Sequence, residues 1–183
     1  LWTENLFGSF VVINAKKFED FLRLAKQKLE GEWIVIGSAV LIAFKSRTRF
    51  TEDIDFVNLN FKNDSMPIWE IAQELGLNIE QINQAGGFFL SKIPNFRQDC
   101  IVYLKSKNLT IYLPNAYLYF QLKLARFSDT DTQDCIEYLK LAPNVDTIDS
   151  NRMWIIIDES RGSKRNKDRL RAELRLAKDS RHE

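Results

Sequence analysis

The chain has 183 residues, with 26 Lys or Arg against 25 Asp or Glu, a formal net charge of +1 and 45% apolar residues that include 13 Phe. That balance supports one folded domain with a real core, or one domain with a helical appendage, and argues against a disordered chain. No apolar run is long enough for a membrane span, so no membrane partner is expected.

In chain order, residues 16–30 predict a helix, with Phe18, Phe21, Leu22, Ala25 and Leu29 at three- and four-residue intervals and Gly31 as a stop. Residues 33–36 predict a strand, residues 38–45 a helix, residues 53–60 a second strand and residues 67–75 a short helix ended by Gly76. Residues 79–113 read as three or four β segments, broken at Gly86-Gly87, Pro94-Asn95 and Lys107-Asn108. From Asn115 onward helices dominate, over 116–126, 132–141, 151–159 and the tail. Strands followed by helices favour an α+β fold with a mixed β-sheet, flanking helices and a C-terminal helical extension. The expected division is residues 1–142 as the α+β domain and 143–183 as the helical, basic extension.

Chemistry concentrates between Trp33 and Asn60. On an extended strand Asp53 and Asp55 face the same way, roughly 7 Å apart at Cα, with Ile54 and Phe56 on the other side. Like charges there repel, and a fold keeps such a pair where a cation or hydrogen-bond donors offset the repulsion. Upstream, Gly37 permits close backbone approach, and the helix start at Ser38 offers free N–H groups and a hydroxyl to an anion. A polyphosphate held by Gly37-Ser38 at one end and by Mg²⁺ on Asp53 and Asp55 at the other has the geometry of phosphoryl or nucleotidyl transfer. The alternative is an ion-pair cluster in which Arg47 and Arg49 hold the two aspartates.

Gly37-Ser38, a fourteen-residue gap, then Asp53-Ile54-Asp55 resembles the G-S … D-x-D signature of the polymerase-β-like nucleotidyltransferase superfamily. Arg49-x-Thr51-x-Asp53-Ile54-Asp55, with Lys123-Leu124-Ala125-Arg126 and then Asp131 to Ile136, is similar to the minimal prokaryotic branch that includes AbiEii-type nucleotidyltransferases of abortive infection and toxin–antitoxin systems. The likeness spans residues 15 to 142. Gly-Ser replaces the Gly-Gly common in that branch, and the loop 45–49 is more basic than its pattern requires.

The resemblance implies a third carboxylate on a later strand, for which Asp99 is the best positional match. Two Mg²⁺ or Mn²⁺ ions are then expected, one on Asp53, Asp55 and Asp99 and one on Asp53 and Asp55. Arg49, Lys123 and Arg126 would join Gly37 and Ser38 in binding the NTP phosphates, ATP among them. It further implies transfer of an NMP to an RNA end, a side chain of a partner protein or a small molecule, in a toxin–antitoxin or phage-defence setting. A non-catalytic nucleotide- or partner-binding module on the same fold, antitoxin-like, is the rival.

Other features carry blander expectations. Asp131 and Asp134 with Arg126 read as a salt-bridge network linking two helices. Lys123 could equally snorkel from an amphipathic helix. Residues 161–183 hold nine Lys or Arg against four Asp or Glu, with Leu170, Leu174 and Ala177 at helical spacing. That pattern fits a docked terminal helix or an RNA-contacting one. Cys100 and Cys135 lie in apolar-patterned segments, as buried thiols of a reducing cytoplasm do. The one histidine, His182, leaves no material for a histidine triad and argues against zinc.

Overall fold

The computed structural model describes residues 11–46, 49–61, 65–126, 128–143 and 145–180; Arg47 and His182 lie outside them. Helix α1 (Ala15–Lys28) starts where Asn14 Oδ1 accepts the Lys17 N–H at 2.9 Å, and it buries Phe18, Phe21, Leu22, Leu24 and Ala25. Strand β1 (Gly31–Ile36) follows, then α2 (Ala39–Ala43), β2 (Ile54–Asn58) and α3 (Ser65–Leu75). The chain continues through β3 (Ile82–Asn83), α4 (Gly87–Leu90), β4 (Cys100–Lys105) and β5 (Leu109–Pro114). Four helices close it: α5 (Ala116–Leu124), α6 (Asp129–Leu141), α7 (Ser150–Glu159) and α8 (Lys164–Asp179).

The five strands form one mixed sheet in the order β3-β2-β1-β5-β4. β1 is antiparallel to β2 and parallel to β5, while β4 and β5 form an antiparallel pair. The architecture is therefore α+β, as the strand-then-helix order predicts. Side chains alternate between two cores. Trp33, Val35, Ile54 and Phe56 enter the larger one, where Trp33 stacks on Phe56 at 4.7 Å between ring centroids. Ile34, Ile36 and Val57 enter a smaller one with Leu90 of α4 and Leu118 of α5.

Residues 84–99 depart from the sequence expectation. Instead of a β segment the chain makes α4 and a 3-10 turn over Phe96–Asp99. The reason is close approach: a Cβ at Gly86 would lie 2.5 Å from Ile36 Cδ1, so Gly86 lets the start of α4 press onto the sheet. The glycine pair that reads as a strand break thus seats a helix.

The basic tail forms α8, which packs on α6 and α7. Its Leu170 and Leu174 are buried, with Ala177 beside them, and they join the larger core together with Met153 and Ile157 of α7. The sheet and the C-terminal helices therefore share one apolar interior. Cys100 is half-buried and Cys135 buried, both as free thiols. No helix among the described residues is long and apolar enough to cross a membrane.

Candidate active site

A cavity of about 240 Å³ opens where β1 ends, walled by Asp53 and Asp55 on one side and on another by Lys123 of α5 and Arg126 of the turn after it. The sheet register builds the acidic wall. Asp55 pairs with Ile36 on one flank and with Asn83 on the other, which places it on the smaller-core face at the last residue of β1. Asp53 precedes it by one alternation and accepts a hydrogen bond from Thr51 Oγ1 at 3.3 Å. Gln81, itself buried, fixes the approach to this pair: its Nε2 donates to the carbonyls of Glu52, at 2.7 Å, and Val11, at 2.8 Å.

Gly37 is the close-approach residue. Its φ is +69°, and a Cβ there would lie 2.2 Å from Asp55 Oδ2. Only glycine fits that backbone against that carboxylate.

The electrostatics of the pair are unsettled in the protein alone. Burial, then the charge of Asp53, pushes the Asp55 carboxyl from its ordinary 3.8 up to about 6, against the pull of Lys123 and Arg126. Two adjacent carboxylates, one of them reluctant to ionise, suit a hard divalent cation. Mg²⁺ is held by one or two protein carboxylates with the remaining positions left to water and substrate phosphates. Among the described residues no group of three or more His, Cys, Asp or Glu side chains is placed to hold a metal ion.

The opposite wall is basic and tightly braced. Lys123 is buried, donates to Asp134 Oδ2 at 2.6 Å and to Ser38 Oγ at 3.2 Å, and lies 3.8 Å from Asp131. Burial lowers its pKa from the ordinary value, and Asp131 opposes that shift. Ser38 Oγ donates in turn to Asp134 Oδ2 at 3.1 Å. Asp131 does double duty, capping α6 through Ser128 and pairing with Arg126 at 3.2 Å. The Arg126 side chain is 72% exposed, so it stands at the cavity mouth with a charge that solvent or a ligand can reach.

Residues 15–177 match the family described as "Nucleotidyltransferase of unknown function (DUF6036)". The chain belongs to this nucleotidyltransferase family. No curated protein and no solved structure matches it. The family region runs past residue 142 into α8, in keeping with the shared interior of sheet and C-terminal helices.

Of the residues that the sequence nominates in this nucleotidyltransferase, the structure gathers Gly37, Asp53, Asp55, Lys123 and Arg126 around one cavity. Ser38 is not among the residues that line the cavity; it bonds Lys123, which is, and Asp134. The helix it begins has five residues, too short for a strong dipole. Asp99 is not brought to the pair. Asp99 ends the 3-10 turn that leads into β4, and β5 and β1 separate β4 from β2, a distance of roughly 14 Å at the usual inter-strand spacing. Its carboxylate is engaged elsewhere, by Arg152 at 2.5 Å and Asn115 Nδ2 at 2.9 Å. Arg49 also turns away from the cavity, forming ion pairs with Asp134 and, at 3.7 Å, with Glu137. It therefore does not brace Asp53 and Asp55.

The same cavity holds residues the sequence did not assign to it. Tyr119 and Leu122 join Lys123 on one stripe of α5, at i, i+3 and i+4, with Arg126 in the turn that follows, a spacing visible in the sequence once α5 is known to border the site. Asn83, Gly86 and Phe89 arrive from β3 and α4, and only the unexpected helix brings Phe89 there.

Proposed function

We propose that this nucleotidyltransferase is metal-dependent and moves a nucleoside monophosphate from an NTP to an acceptor hydroxyl. The observation that carries the reading is the Asp53–Asp55 pair facing Lys123 and Arg126 across a cavity floored by Gly37. Asp53 and Asp55 would hold Mg²⁺ or Mn²⁺, which when bound supplies Lewis-acid stabilisation of phosphate charge. Arg126 reaches the phosphates from the mouth, and Lys123 lends a fixed positive charge from below. Gly37 lets the end of β1 close on the Asp55 carboxylate with no side chain between them. The acceptor oxygen forms the new bond to the α-phosphorus, the bond to the β-phosphate bridge breaks, pyrophosphate leaves and the acceptor proton passes to solvent. No protein nucleophile is needed, so positioning and charge neutralisation supply the acceleration.

The K-L-A-R helix and its partner α6 support placement near the AbiEii-type branch, and with it a toxin–antitoxin or phage-defence role. The test incubates the protein and its Asp53→Ala/Asp55→Ala variant with each α-³²P NTP, Mg²⁺ or Mn²⁺, and cellular RNA and protein. Label transferred by the wild type alone is the expected result, and the labelled species names the acceptor. Absence of transfer under every condition would leave a nucleotide- or partner-binding module in place of an enzyme.

A further inference from the structure

The surface beside the carboxylate cavity carries an aromatic strip. Phe61, just after β2, and Phe88 and Phe89 on α4 are 50%, 61% and 52% exposed. Folded surfaces seldom leave three neighbouring phenylalanines in water without a use for them. Phe88 and Phe89 meet edge to face at 5.5 Å, and Phe61 meets Phe96 at 6.1 Å. Phe61 takes a left-handed backbone, φ +53°, that bulky residues rarely adopt.

The strip is continuous with the candidate active site. Phe89 lines the carboxylate cavity itself. A second hollow of about 370 Å³, between Phe61 and Phe88, shares Ala85 with that cavity. A third, of about 440 Å³, shares Phe61 with the second and ends at Phe96 and Arg97. Among the described residues no Asp or Glu lines either outer hollow. Their polar groups include the amides of Asn95 and Gln98. Lys92 Nζ sits 3.7 Å over the Phe88 ring, and Arg97 packs beside Phe96 while also pairing with Glu32.

Exposed π faces, side-chain amides and cations are the chemistry that recognises unpaired bases on an anionic backbone. We propose that the strip is the acceptor path: a single-stranded nucleic acid lies along Phe61, Phe88 and Phe89 and delivers its terminal hydroxyl to the Asp53–Asp55 cavity. This rests on the nucleotidyl-transfer reading above. A duplex does not suit the strip, because paired bases cannot present their faces to the rings. The basic helix α8 is a poorer candidate, since Arg171 is paired with Asp158 and Asp168, Arg169 bonds Gln133 and Lys178 bonds the Ile148 carbonyl.

The test is fluorescence anisotropy with a labelled single-stranded RNA, the same sequence as DNA, and an RNA duplex, without NTP or divalent metal. Binding to at least one single strand, about tenfold or more tighter than to duplex, is expected, and the RNA and DNA arms tell which acid is preferred. Phe61→Ala/Phe88→Ala should weaken it about tenfold or more while the melting temperature is retained. Lys164→Ala/Arg165→Ala on α8 should leave it unchanged. Equal affinity in the strip variant, loss of affinity in the α8 variant, a preference for duplex, or no binding to any strand would overturn the proposal. Because the readout uses neither NTP nor metal, the strip can fail while Asp53-dependent label transfer persists, for instance onto protein, and the reverse outcome is equally separable.

Discussion

Asp53 and Asp55 on the sheet and Asp131 and Asp134 on α6 are carboxylate pairs at short spacing on two walls of the same region, but their surroundings differ. Asp134 is fully buried and meets Arg49, Lys123 and Ser38, and Asp131 meets Arg126, Lys123 and its own helix cap. Asp53 and Asp55 border open space and are only partly buried, yet burial first and the neighbouring Asp53 charge second push the Asp55 carboxyl up to about 6. The first pair is satisfied by the protein. The second is the one that still gains from a cation. Proximity of carboxylates alone does not distinguish a brace from a metal site; the positive charge already spent on each pair does.

The largest effect that sharpens this contrast belongs to the brace. Asp134→Asn should strip the partner from buried Lys123 and from Arg49 and lower stability by about 3–5 kcal/mol, read by urea denaturation. A loss below about 1 kcal/mol would mean that α5 and α6 hold together without that ion network.

Asp55→Asn should act in the opposite direction on the protein without metal. The folded carboxyl titrates near 6 against an ordinary 3.8, so the folded state holds its proton while the unfolded chain gives it up. Relative to the variant, the wild type should therefore lose stability as pH rises from about 4 to about 6, then stay level. The gap is at most about 3 kcal/mol, reduced by the solvent that still reaches the group. Urea denaturation of both proteins across that range checks it, and a pH-independent gap would show Asp55 to be as settled as Asp134.

Much of this was legible beforehand. The amphipathic stripe of α1, the Gly37-Ser38 turn and the Asp53-x-Asp55 alternation are local patterns, and each produced the predicted element and facing. Lys123 and Arg126 were legible as part of a helix pair, as was the bracing role of Asp131 and Asp134. Asp99 was not, because which strands become neighbours depends on the whole sheet, and β4 joins at the edge remote from β2. Arg49 was misdirected for a related reason: the position of α6, set by core packing, offers it Asp134 and Glu137. The exposed phenylalanines were visible as residues but not as a strip, since the helix that aligns Phe88 and Phe89 forms where the glycines suggested a break.

The most direct measurement is thermal denaturation with and without Mg²⁺ and NTP, for the wild type and for Asp53→Asn. If Asp53 and Asp55 hold a cation that carries the triphosphate, metal and NTP together should raise the wild-type melting temperature, neither alone should match that rise, and Asp53→Asn should abolish it. A rise of equal size in the variant would contradict the site.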